Sequence, residues 1–473
     1  MKRFHTAWFL AVLLLVAATG SVAVAKTTHR TDRHTVREAL QRARRPTTST
    51  TLAKQPTRVP PTTTTPATVS PSARAFAILP SMASAISEPC VGVPMLSGQA
   101  DIDAKPQGTT FCLSGIHHWT LTPKSNDRIV GSGNAVLDGN RWSMTDAVVA
   151  QPGVSGVVLL DVEIRDYKTK GDAFGAITVP DPRTSVDWTL VNLNVHDNGA
   201  KFGGDWLGAG TELGTGWIVV GGRYAYNRQE GLTAGGGASK DILTSYGGLV
   251  LTIDHNAFQA DHVTSGGECS HEAGGFKWVA DNITVQYASV HDNACMGLWA
   301  DINSNGGVIT NNTVTNNWNS GIFWEVSMGA SITYNVVRGN GFKTFDNRPP
   351  GCNPGWGGGI SISDSGHTGS GNANIDISHN IVSGNCNGIT GLDNGASGGE
   401  CGAACNLANV HLYDNALMAC TARSLDCAPA EAALANNNFG NFDWDGDGDA
   451  GSSNNTFANN TISLGINFCG NTC

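Results

Sequence analysis

Two near-copies of one short motif place acids at the same point. GLWADI begins at Gly297 and GIFWEV at Gly321, and Asp301 and Glu325 each follow their glycine by four residues. One further period of 24 residues toward the N-terminus lies Lys277, in GGFKW. Carboxylates on neighbouring strands about 4.8 Å apart repel when both are ionised, so one keeps its proton and the pair can act as acid and base. Lys277 beside Asp301 would hold that acid ionised and leave Glu325 as the proton donor. Trp299 and Phe323, two positions ahead of the acids, would offer flat apolar surfaces on which a sugar ring can lie. A separation near ~5 Å suits retaining glycoside hydrolysis and ~6.5–9.5 Å suits inverting, but side-chain reach leaves the stereochemistry open. The same charges could also form an exposed salt-bridge ladder, where such pairs contribute about 0–1 kcal/mol.

These side chains share a face only if the chain winds once per period. GVVLLDVEI, WTLVNLNVHDN, LVLTIDHN, NITVQYASVHDN, GVITNNTVTNN, ASITYNVVRGN and NIDISHNIVSGN each hold alternating apolar residues followed by Asn, Asp or Gly. No amphipathic run of helical period separates them, which disfavours α/β folds. Short strands and Asn-rich turns recurring every 20–30 residues predict an all-β solenoid, a parallel β-helix with rungs of about 24 residues and inserted loops. Strand alternation then predicts that Phe276, Trp278, Leu298, Ala300, Ile302, Ile322, Trp324 and Val326 point inward, and that Trp299, Asp301, Phe323 and Glu325 point outward. Asn293 falls on Asn317 in this register, where stacked amides would satisfy turn backbone.

The segment Gly274–Asn340, with GGFKW, NITVQYASVHDN, GLWADI and GIFWEVS, resembles secreted bacterial right-handed parallel β-helix proteins of the pectate-lyase-like superfamily. PQGTTFCLSGIHHWTLTPKSNDRIVGSGNAVLDG is similar to the first rungs of that group, so the resemblance covers most of 90–473. It implies the fold and leaves the reaction open, since the superfamily contains lyases, hydrolases, epimerases and proteins of no known activity.

Insertions flank the charged rungs. HVTSGGECSHEAGG precedes Lys277 and NGFKTFDNRPPGCNPGWGGG follows Glu325, so loops would wall a cleft over the column and bring His271, Glu272 and Trp356 to it. Asn303 would line the same cleft as a substrate contact. His291, in HDN before the GLWADI strand, is a second acid–base candidate, although the triplet recurs at His196–Asn198 and suits a turn. FDWDGDGDAGSSNN sets Asp443, Asp445, Asp447 and Asp449 at alternate positions, an oxygen-rich pattern that could hold a structural Ca²⁺. Asn454 stands where the bidentate Glu of a helix–loop–helix calcium site would be, so an acidic turn is the other reading.

Residues 1–25 read as an export signal: Lys2 and Arg3 precede AWFLAVLLLVAA, and Ala23-Val24-Ala25 fits a cleavage site. Residues 26–80 read as a Thr/Pro/Arg-rich linker that cannot bury enough apolar surface to order itself, and 81–473 as the β-helix domain. Residues 26–75 hold ten Lys/Arg and two Asp/Glu, which leaves the body from 76 onward near −20. Such a body argues against nucleic acid as a partner. Twelve cysteines in an exported chain predict disulfides, with Cys90 and Cys112 paired. A secreted, extracellular protein with no membrane span and a polysaccharide partner is expected.

Together these residues point first to a secreted glycoside hydrolase with Glu325 as acid, Asp301 as nucleophile or base, and no required cofactor. A lyase or epimerase would instead use Lys277 or His291 as base on a uronate, with Asp301 and Glu325 holding Ca²⁺. A non-catalytic glycan- or cell-wall-binding solenoid is the third reading.

Overall fold

Three short strands make each winding of the chain. The computed structural model describes Cys90 and residues 92–202, 205–257, 273–341, 358–366, 374–385, 387–393, 407–418, 442–446 and 455–463. The rung carrying Lys277 runs Gly274–Trp278, Thr284–Gln286 and Ser289–His291. The next repeats it as Met296–Ala300, Gly307–Thr310 and Thr313–Thr315, then Ile322–Glu325, Ala330–Thr333 and Val336–Arg338. Each strand pairs in parallel with its counterpart on the adjoining rung. First strands of successive rungs build a ten-stranded short sheet, and the second and third strands belong to a 22-stranded long sheet. The antiparallel ribbon Ala200–Phe202 with Asp205–Leu207 stands outside both. This is the all-β parallel β-helix that the repeat predicts.

The interior is filled by columns of like residues, one per rung. Leu190, Val219, Leu243, Val285, Ile309, Ile332, Ile377 and Leu412 are level with one another across the long sheet and almost fully buried. Each such side chain contributes about 1.5–3 kcal/mol on removal from water. On the short sheet Ala300 lies between Trp278 and Trp324, so a small residue makes room for two indoles that meet edge-on at 6.3 Å. Gly307 is required beside this column, since a Cβ there would run into the Trp324 ring. The helix Gln99–Asp103 buries Ile102 in the same core. Cys90 and Cys112 form the expected disulfide. Cys295 is also disulfide-bonded, whereas Cys269 and Cys352 lie outside the described residues.

Alternation predicts the inward set correctly except at its ends. Phe276, Trp278, Leu298, Ala300, Ile322 and Trp324 all join the main core. Ile302 and Val326 do not, because the strands stop before them and both adopt left-handed backbone, φ 40° and 46°. Few β-branched residues tolerate that conformation.

Stacked asparagines hold the corners. Asn198, Asn227, Asn256, Asn293, Asn317, Asn340 and Asn385 form one buried ladder, the expected Asn293–Asn317 step included. Asn293 shows the pattern: its Nδ2 donates to Asn317 Oδ1 at 2.9 Å and Ile253 O at 3.1 Å. Its Oδ1 accepts from Asn256 N at 3.1 Å and Nδ2 at 3.0 Å. A second ladder runs through Asn312, Asn335, Asn380, Asn415 and Asn460. Buried amide groups left without partners cost about 1–3 kcal/mol each. Asn293→Ala strands at least two of them, so denaturant titration should show a loss of about 2–4 kcal/mol; a change below ~1 kcal/mol would contradict the ladder's role.

Candidate functional site

The outward face of the short sheet brings Lys277, Trp299, Asp301, Phe323 and Glu325 together, in a register different from the expected one. Lys277 is level with Trp299, and Trp299 with Phe323. Asp301 therefore sits one step further along the face, and Lys277 does not occupy its equivalent position. The cause is the corner after each strand. Trp278 is followed by Thr284 and Ala300 by Val308, residues that pair with each other, so the Asp301 rung turns with two more residues. Asp301 lies in that longer corner. The flexible Lys277 stem closes the gap, and its Nζ lies 2.7 Å from Asp301 Oδ2.

Asp301 and Glu325 do keep the 24-residue register, continuing from Ala300 and Trp324. Ile302 N donates to Asp301 Oδ1 at 2.8 Å, so both carboxylate oxygens are held. Trp299 Nε1 donates to Glu325 Oε2 at 2.8 Å. Lys277 and Asp301 are buried, at 2% and 6% exposure, while Glu325 is partly exposed. The ammonium of Lys277 lies 3.9 Å from the centre of the Trp299 ring. Trp299 and Phe323 are covered, at 8% and 1% exposure, and pack with Met296, Cys295 and Ala294 in an apolar cluster outside the main core. The open platform expected of these two rings is thus roofed over in this structure. Asn303 is exposed, in the turn after Asp301.

His291 belongs elsewhere. It ends a strand of the long sheet, not the short one, and its Nδ1 lies 2.8 Å from Asp292 Oδ2. The Asn293 corner turns the chain between His291 and the next short-sheet strand, so a place in the Asp301–Glu325 site is corrected. His271, Glu272, Trp356, Asp447 and Asp449 lie outside the described residues. Asp443 and Asp445 belong to the strand Phe442–Gly446, whose Asp443 is level with Thr390.

Sequence reasoning missed further polar residues on this face. The column of Lys277, Trp299 and Phe323 continues through Thr233 and Glu212 on one side and Ser361 and Thr390 on the other. Ser361 Oγ is 2.8 Å from both Ser320 Oγ and Thr390 Oγ1. Burial pushes the Glu212 carboxyl up to about 7, against hydrogen bonds from Val179 N and Thr178 Oγ1. Lys170 and Asp146, paired at 2.8 Å, lie nearby. The pairing Glu212–Thr233–Lys277 was legible only after removing the insertion before Ala273 and the shortened corners.

The sequence model of a right-handed β-helix region matches residues 240–417, the stretch that includes these rungs. The fold is a right-handed parallel β-helix. Solved structures similar to this β-helix include the A-module of a mannuronan C-5 epimerase from Azotobacter vinelandii. That likeness is at 14% identity and TM-score 0.39, over 77% of this chain and 94% of that one. The Dettilon tailspike protein matches at 13% identity and TM-score 0.37, over 77% of this chain and 57% of that one, so the β-helix spans little more than half of it. A lacto-N-biosidase from Eubacterium ramulus matches at 12% identity and TM-score 0.34, over 78% of this chain and 64% of that one. No curated protein matches the sequence. Among the described residues no helix is long and apolar enough to cross a membrane.

Removing one partner of a buried ion pair leaves an uncompensated charge and costs about 3–5 kcal/mol. Lys277→Met should lower stability by that amount in urea, and a loss under ~1 kcal/mol would show that Asp301 needs no cation. Glu212 gives a pH signature. Its folded-state value is raised from an ordinary 4.5, so the folded chain binds this proton more tightly than the unfolded one. The support it lends to folding is complete below about 4.5 and lost as the pH rises through about 7. Glu212→Gln should therefore narrow the difference between melting temperatures at pH 5 and pH 8; an unchanged difference would refute the shift.

Proposed function

We propose that the protein is a secreted polysaccharide-active enzyme, a glycoside hydrolase whose reacting groups are Glu325 and Asp301. The observation that carries this reading is a pair of carboxylates on adjoining rungs, one buried against a lysine and the other partly exposed. Asp301 is gripped by Lys277 and by Ile302 N, which fixes the direction in which its carboxylate points. Glu325 faces partly outward and accepts a hydrogen bond from the Trp299 indole. Left-handed Ile302 and Val326 follow the two acids directly, and strained backbone of this kind concentrates at functional sites.

In this mechanism Glu325 delivers a proton to the leaving glycosidic oxygen. Asp301 supports the positive charge that develops on the sugar ring, as nucleophile or as the base that activates water. Lys277 holds Asp301 in place, and Trp299 aims Glu325. Ser361 and Thr390 continue the same column and, with Ser320, form a buried, mutually hydrogen-bonded polar cluster that supports the neighbouring rung. The lyase reading is weaker, because a Lys277 ammonium engaged 2.7 Å from Asp301 has no lone pair with which to take a proton. No metal is needed for the proposed step; the Asp-rich segment with Asp443, Asp445, Asp447 and Asp449 is proposed only as a structural Ca²⁺ site.

A panel of neutral and uronate-containing polysaccharides, digested and read by mass spectrometry, tests the assignment. Products that each gain one water mark hydrolysis. Glu325→Gln and Asp301→Asn should each lower the rate by about 10²–10⁴ while the melting profile shows a folded chain. Unaltered rates in both variants would sink the assignment. Unsaturated products would replace it with elimination, and glycan retention without any product would replace it with binding.

A further inference from the structure

A second constellation lies on the long sheet, apart from the carboxylate pair. We propose that Asp254, His255 and His291 form a divalent transition-metal site that fastens two adjoining rungs. Asp254 ends the strand Leu251–Asp254 and is level with His291 on the next rung. One ligand atom from each of the three residues lies within 4.8 Å of the other two. His255 follows in left-handed backbone, φ 53°, which swings its imidazole toward that of His291, their rings perpendicular at 6.2 Å.

The surroundings hold the donors in place. His291 Nδ1 lies 2.8 Å from Asp292 Oδ2, which orients the ring and leaves Nε2 as the nitrogen to meet a metal. A carboxylate behind a ligating imidazole is the usual outer support of such sites. Tyr226 stacks on His255 at 5.0 Å. Arg223 donates to both oxygens of the buried Asp254 at 2.9 and 2.6 Å, and His255 Nδ1 lies 2.7 Å from Oδ2. Arg223 thus competes with a metal for Asp254, which makes the two imidazoles the leading ligands and the carboxylate the third. Two imidazoles select Zn²⁺, Ni²⁺ or Cu²⁺ over the oxygen-seeking Ca²⁺ and Mg²⁺. Because the ligands come from two rungs, the ion would tie the winding at Asp254 to the winding at His291.

Isothermal titration of the chelator-treated full chain with ZnCl₂, NiCl₂ and CaCl₂ tests the site. Zinc and nickel should bind at one equivalent lost in the variants, with a rise in melting temperature that calcium does not give at this site. His291→Gln and His255→Asn should each weaken that equivalent at least tenfold; Asn tolerates the left-handed turn, so the fold is kept. Asp292→Asn, which removes only the support behind His291, should weaken it by about 10–100-fold. Arg223→Gln should strengthen it, an outcome that a purely hydrogen-bonded cluster does not produce. Absence of any zinc or nickel binding, or binding undiminished in the His255→Asn/His291→Gln double variant, overturns the proposal.

Discussion

A chain that winds around an apolar interior must turn a corner on every rung, and each corner leaves peptide groups facing the core. Nothing there can hydrogen-bond to water, so the partners must come from the rung above or below. Asparagine meets that demand because one side chain carries both a donor pair and an acceptor. From Asn227 to Asn340 each ladder Oδ1 takes two protons from the preceding rung, and each Nδ2 gives one to the next amide and one to a backbone carbonyl. A slip by one residue would break every step at once. The ladder therefore sets register, and register sets which outward side chains become neighbours. Asp301 and Glu325 are adjacent because Asn293 and Asn317 are.

This explains what could be read from the sequence. The spacing of 24 is written wherever two rungs have the same corner lengths, and there Leu298 meets Ile322, Val290 meets Val314 and the two acids meet each other. Extrapolation one rung backward failed because corners are not bound to a period. The Trp278 corner lacks the two residues that carry Asp301 outward, so counting put Lys277 in the wrong column. Contact survived the error because a lysine stem is long enough to span it. Ile302 and Val326, expected to point inward, depart from that pattern for a related reason. Alternation describes strands, and a β-branched residue at positive φ gives no sign in the sequence that the strand has ended.

Burial separates the two faces of the molecule more sharply than charge patterning does. A column of acids and a lysine, read as text, is equally a solvated ladder. Here the Lys277–Asp301 pair is buried, with the Trp299 ring over the ammonium, where an ion pair must overcome a desolvation cost that an exposed pair never meets. By contrast, Arg165 on the long sheet pairs with Asp138 and Glu163 while remaining about one-third exposed, a setting in which such contacts add little. The chain could have filled the short-sheet position with apolar residues at lower cost to folding.

That cost is informative because it recurs around one point. A buried cation, a buried acid fixed through both oxygens, a second acid aimed by an indole and two left-handed β-branched residues all fall within three rungs. Each opposes stability or is neutral to it, and the asparagine ladders and aliphatic columns on either side supply the stability that tolerates them. A solenoid selected only to persist would have no reason to gather these expenses at the ends of two neighbouring strands. A solenoid that must fix one carboxylate beneath its surface and leave another partly exposed beside it needs them there.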